Sequence, residues 1–383
     1  CLQLITVTPF APTAKFVSRS SNLPDSDSLA GTSTLTSASD ASWSVSVNLP
    51  VGFRIYSSAT KSLDYVKTSS GIIYYLISEP IDFNYIESNK NYWLKNDIVF
   101  DAELFETNGT FDGGYYNSNV FTGEFSSPPA DTYYINENSN NTFISDGQPK
   151  TITGIKLKPV TNGSYTASAL FAHTNGATFK NFKLVDVSST GSADYAAAVA
   201  AVINGSLMAE NVTVENVNIS GAKYSGGLFG GMFNANEVAV PWNVKNCQVL
   251  GTRTGEDSGY TYSSNISGLS GAAGIAVHTD QNAASFTDIE VSGCSISQRA
   301  ATMDSDYFDN GAAGISLAFS GEISSSSAQK LNYVKNSSIS GEVVSGAVVR
   351  TYSSTQTGAF VAGNMVSSVS KAERLVISGV NIA

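Results

Sequence analysis

The chain has 383 residues, 42% of them hydrophobic, enough to bury a long core beside a smaller N-terminal part. Only 14% are charged, against a typical ~25%, and Ser, Thr, Asn and Gly take their place as in secreted β proteins. A net charge of −11 without a Lys/Arg cluster argues against nucleic acid and anionic lipid, and no segment approaches the ~20 apolar residues of a membrane span.

Taken from its start, the chain begins at Cys1 rather than Met, which suggests that something upstream was removed. Lipidation of Cys1, as in bacterial lipoproteins, fits the uncharged stretch that follows. An ordinary processed terminus fits too. Residues 1–40 read as a strand-prone tail, with Leu2, Leu4, Ile5 and Val7 in its first stretch, followed by a flexible Ser/Thr/Asp linker. Residues 41–90 read as a β-rich N-terminal cap, because Trp43-Ser44-Val45-Ser46-Val47 alternates and Gly71 to Ile77 is apolar. From 91 to 383 the expectation is a repeating β architecture, interrupted at 107–150 by a loop insertion dense in Tyr, Asn, Gly and Pro.

Six times from residue 169 onward a two-part pattern recurs. Its first parts are the runs starting at Ala169, Ala198, Gly227, Gly274, Gly314 and Gly358, each a small-residue turn into an apolar stretch. Its second parts are Phe179–Leu184, Val214–Ile219, Val244–Val249, Val291–Ile296, Val334–Ile339 and Ile377–Ile382, spaced 35, 30, 47, 43 and 43 residues apart. Apolar residues at positions one, four and six bracket Asn or Gly at position three. That spacing breaks strict alternation and predicts a bend in the left-handed backbone region, which Asn and Gly tolerate. Stacked, Asn181, Asn216, Asn246 and Asn336 can form a hydrogen-bonded ladder. The fold expected is an all-β parallel β-helix, a solenoid with long loop insertions. A β-sandwich has no reason to repeat its strand sequences, and a helical solenoid conflicts with the Val, Ile, Ser, Thr and Asn content.

Asn91-Tyr92-Trp93-Leu94 through Phe100, Val120–Phe125, Ile152–Leu157 and Ala169–Phe171 resemble the opening of bacterial surface β-helices that carry GLUG-type repeats. Gly226–Gly230 with Val244–Val249 resembles one full repeat. The resemblance spans about 90–383 and implies a surface protein, an adhesin, a surface lipoprotein or the non-catalytic stalk of a secreted peptidase. It assigns no activity.

Candidate sites follow from the variable connections. Each contains Tyr (Tyr195, Tyr224, Tyr260 with Tyr262, Tyr307, Tyr352), and stacked connections would align these as one exposed aromatic stripe. Such a stripe suits a glycan or host-surface ligand, or else its rings merely pack over the loop bases. Asp304, Asp306 and Asp309 approach calcium-loop spacing without matching it. Otherwise no cofactor is indicated. Loop carboxylates such as Glu256-Asp257, with Arg253 and Arg299 nearby, leave a polysaccharide lyase or hydrolase as the alternative function. His173 and His278 have no zinc-peptidase spacing and read as repeat-edge residues. Cys247 and Cys294 share a position in consecutive second parts and read as stacked buried thiols in preference to a disulfide. The last strand, with Val380 and Ile382, lacks a polar cap. Self-association of an extracellular or cell-surface protein, head to tail through residues 2–8, is therefore expected.

Overall fold

The structure, a computed structural model, describes residues 14–17, 32–34, 46–48, 54–57, 63–100, 110–111, 120–130, 132–135, 141–232, 241–255, 260–279, 283–299, 311–318, 331–345, 356–358, 369–373 and 376–382. It divides into two compact units, residues 1–62 with 101–109, and residues 63–100 with 110–383. In the first unit two antiparallel pairs are described: Ala14–Val17 with Arg54–Ser57, and Thr32–Thr34 with Ser46–Asn48.

The second unit is all-β, with three large and mostly parallel sheets. In the longest, Phe179 pairs with Ala209, followed in parallel register by Val244, Phe286, Val334 and Ala372. Those copies lie 30, 35, 42, 48 and 38 residues apart. Leu184, Val214, Val249, Val291, Ile339 and Ile377 form a second column. Ser189, Ile219, Ile266, Ile296, Val343 and Ile382 form a third.

This register corrects the sequence alignment of the second parts. The first, second and fourth copies carry the bend twice in tandem, and the residue closing the first bend opens the second. The segments starting at 179, 244 and 334 are first bends, whereas those starting at 214, 291 and 377 are second bends. Because the two bends share one motif, sequence alone does not distinguish the first from the second.

The left-handed backbone expected at position three is present at both bends. Asn181, Asn211, Asn246, Asp288 and Asn336 hold the first, with φ of 55°, 56°, 48°, 56° and 50°. Asp186, Asn216 and Gly293 hold the second, at 55°, 55° and 61°. Short polar side chains tolerate this region because they hydrogen-bond locally. The ladder exists but is pairwise and uses other partners than expected. Asn246 Nδ2 donates to Asn211 Oδ1 at 2.7 Å, and Asn336 Nδ2 donates to Asp288 Oδ1 at 3.0 Å. Asn216, in the other column, accepts from Ser263 Oγ instead.

The first parts align as expected through five copies, with Phe171, Ala200, Phe229, Ala276 and Ser316 in one column. In the last copy Gly358 pairs with Ala313 rather than Gly314, a one-residue slip. Glycine at these turns follows from close approach. A Cβ on Gly227 would stand 2.0 Å from the carbonyl oxygen of Gly274 in the next copy.

Inside, Phe125, Phe171, Phe179 and Phe182 are fully buried and pack edge-on or tilted at 5.0 to 5.3 Å. Later copies substitute smaller groups in the same column, Val212, Cys247 and Ile289 after Phe182. On the outer face, charged residues pair between copies: Lys180 with Glu124 at 3.4 Å, Lys245 with Glu210 at 3.5 Å, and Lys183 with Glu215. Thr213 donates to Gln248 at 3.1 Å, and Gln248 in turn to Glu290 at 2.9 Å.

The two ends of the stack differ. On the N-terminal side, Tyr65–Lys67 runs antiparallel along Ile73–Ile77, and Val160–Asn162 runs antiparallel along Tyr165–Ser168. Phe121 closes part of the third sheet, donating to the His173 carbonyl at 2.9 Å and accepting from Asn175 N at 2.8 Å. The insertion expected at 107–150 includes an antiparallel hairpin, Thr132–Ile135 with Asn141–Ile144, whose first strand bridges Val66 at the same end. On the C-terminal side, Val369–Glu373 and Val376–Ile382 pair on one edge each among the described residues.

Candidate functional site

Among the described residues, the connection tyrosines do not form one exposed stripe. Tyr195 and Tyr224 are register partners with stacked rings 5.2 Å apart, but they are only 5% and 6% exposed. They pack with Ala169, Ala201, Val277 and Leu317 in a hydrophobic cluster, because their strands turn that face inward. The column also changes character along the stack, running Ala167, Tyr195, Tyr224, Gly271, Gly311 and Gln356. Tyr195 Oη lies 3.3 Å from His278 Nδ1, and the Tyr224 ring meets His278 edge-on at 4.5 Å. These are core contacts. Tyr307 and Tyr352 lie outside the described residues, as do Asp304, Asp306 and Asp309, and Cys1, Leu2, Leu4, Ile5 and Val7. Val380 and Ile382 stand in the last strand, in register with Gly341 and Val343.

Tyr260 and Tyr262 occupy a different connection, within the long sheet. After Gln248–Leu250 the chain leaves at the second bend, forms an antiparallel hairpin of Arg253–Thr254 with Thr261–Tyr262, and returns as Ser264–Gly268. Gly251 marks the exit, since a Cβ there would sit 2.4 Å from the Gly293 carbonyl oxygen and 2.8 Å from Ser264 Cβ. The hairpin base is tied at three points. Thr252 N donates to Ser263 Oγ at 2.7 Å, Ser263 N donates to the Thr252 carbonyl at 2.9 Å, and Ser263 Oγ donates to Asn216 Oδ1 at 2.7 Å.

Directly opposed residues share a face of an antiparallel pair, as do residues two apart on one strand. Arg253 is opposite Tyr262, so Arg253, Tyr260 and Tyr262 share one face, while Thr254 and Thr261 join at 2.7 Å on the other. The Arg253 guanidinium carbon lies 3.4 Å from the Tyr260 ring centroid. Both side chains are exposed, Tyr260 by 38%. Sequence reasoning named all three residues but not the stacking. The signal was there in Thr252-Arg253-Thr254-Gly255 and Gly259-Tyr260-Thr261-Tyr262, two alternating runs facing each other across glycines.

His173 and His278 are 4% and 3% exposed and occupy equivalent positions, with Val202 and Gly231 between them. Burial lowers the His173 pKa, and a hydrogen bond to the Val160 backbone offsets part of that. Cys247 and Cys294 are buried free thiols, as expected, and burial pushes each up to about 12. Their stacking is corrected by the register: Cys247 belongs to a first bend, whereas Cys294 belongs to a second bend and pairs with Ser264. No family model, no curated protein and no solved structure matches the chain.

Proposed function

We propose that the chain is a non-enzymatic, extracellular structural and adhesive protein built as a parallel β-helix, akin to bacterial surface proteins with GLUG-type repeats. One observation carries the reading: parallel register runs through three sheets, and the added chain length goes into connections outside it. Such a stack is stabilised by neighbouring copies and leaves its connections free to vary, which suits a scaffold that displays loops. The low charge and high Ser, Thr and Asn content support an extracellular setting, with Cys1 as the candidate lipid anchor.

Self-association is part of the proposal. Part of the N-terminal side is returned on itself by antiparallel strands, so a parallel strand of a second stack does not simply continue the sheets at Tyr65–Lys67 or Val160–Asn162. A detached strand is the donor that this arrangement favours, and residues 2–8 are the candidate, added beside Val376–Ile382. Sedimentation and negative-stain imaging of the full chain test this. Concentration-dependent oligomers are expected, and they should dissociate in Leu4→Lys with Val7→Lys and in Val380→Pro, which removes a backbone donor. A wild-type chain that stays monomeric at high concentration sinks the assembly reading.

A further inference from the structure

On the hairpin face that carries Arg253, Tyr260 and Tyr262, this acidic chain presents an arginine stacked on an exposed ring, with no acidic partner to Arg253 among the described residues. We propose that this face binds a sugar bearing an isolated carboxylate, such as a terminal sialic or uronic acid. The inference rests on the adhesive reading above and specifies its ligand.

The geometry supplies each requirement. A guanidinium is planar and offers five N–H donors in a fixed fork, which matches a carboxylate in bidentate fashion. The guanidinium carbon stands 3.4 Å from the Tyr260 ring centroid, a contact that restrains the fork while both side chains stay exposed. Three lysines on the outer face are ion-paired, Lys180 with Glu124, Lys183 with Glu215 and Lys245 with Glu210. Arg253 has no such ion pair among the described residues. Tyr262, directly opposite Arg253, adds an aromatic body on which the apolar side of a pyranose can rest. The base is held by Thr252, Ser263 and Asn216, so little ordering remains to be done on binding.

The net charge of −11 narrows the ligand further. A dense polyanion is repelled by the molecule as a whole, whereas one carboxylate on an otherwise neutral glycan meets far less repulsion. Glu256 and Asp257 belong to the connecting loop outside the described residues, and they are the carboxylates nearest to Arg253 in sequence.

Titration calorimetry of the full chain with 3′-sialyllactose, lactose and glucuronate tests the proposal. Sialyllactose should bind, lactose should bind at least tenfold more weakly, and added salt should weaken the sialyllactose interaction. Glucuronate binding as well would assign recognition to the carboxylate, and sialyllactose binding alone would assign it to carboxylate and sugar together; both outcomes support the site. Arg253→Ala should lose binding by tenfold or more, Arg253→Lys should retain part of it, and Thr254→Val on the opposite face should change nothing. Replacing Glu256 and Asp257 by Gln and Asn should leave affinity equal or higher. Equal binding of lactose and sialyllactose, no binding at millimolar ligand, or wild-type affinity in a folded Arg253→Ala chain would overturn it. Slow release of sugar products would sink the non-enzymatic reading while leaving the binding face intact.

Discussion

At the scale of single residues, the buried titratable groups set measurable behaviour. His173 is held neutral by burial, so its folded pKa lies below the ordinary value of about 6.5. A group whose charged form is disfavoured in the folded state binds protons more readily when unfolded. Its contribution is therefore complete above about pH 6.5 and falls away as pH drops below it. Melting curves between pH 7.5 and 5 should show a larger loss in the wild type than in His173→Leu, and parallel losses would refute this role. The thiols of Cys247 and Cys294 are almost fully enclosed and raised to about 12, so a thiol reagent should label both only after denaturation. Rapid labelling of the native chain would contradict their placement.

Single elements depend on the bend. Asn246→Ala loses both the left-handed tolerance and the hydrogen bond to Asn211, which together should cost about 1.5–3 kcal/mol. Asn246→Gly keeps the backbone conformation and loses chiefly the hydrogen bond, about 0.5–1.5 kcal/mol. Denaturant titration separates the two, and equal costs would show that the conformation is not what Asn supplies. The bend was legible in the sequence because position three must carry Asn, Asp or Gly between apolar residues, a constraint that few other elements impose. Its register was not legible. Two identical bends in tandem give the same pattern five residues apart, and only backbone pairing distinguishes Val214 from Ala209 as the partner column of Phe179. The burial of Tyr195 and Tyr224 was not legible for a related reason. Tyr supplies either a buried ring or an exposed one, and nothing local in the run Asp194-Tyr195-Ala196 separates the two.

At the scale of the whole molecule, the stack and its insertions should respond differently to change. Phe182 is fully buried against Phe125, and Phe182→Ala should cost about 3–5 kcal/mol with cooperative loss of the β signal in circular dichroism. Replacing residues 253–262 by a short Gly-containing turn touches only a two-stranded hairpin outside the three large sheets, and should move the melting temperature by only about 2–4 °C. Unfolding of that variant would mean that the hairpin is structural. The shared apolar residue between tandem bends has a further consequence for how the chain finds its fold. Between copies that carry both bends, a strand that docks five residues out of place still presents apolar groups inward and a left-handed Asn, Asp or Gly at its corners, so the error is masked along the strand itself. It is exposed only where the connections on either side become five residues too short or too long. Refolding should therefore populate a slipped trap, and the lengths of the outer connections act as its proofreading.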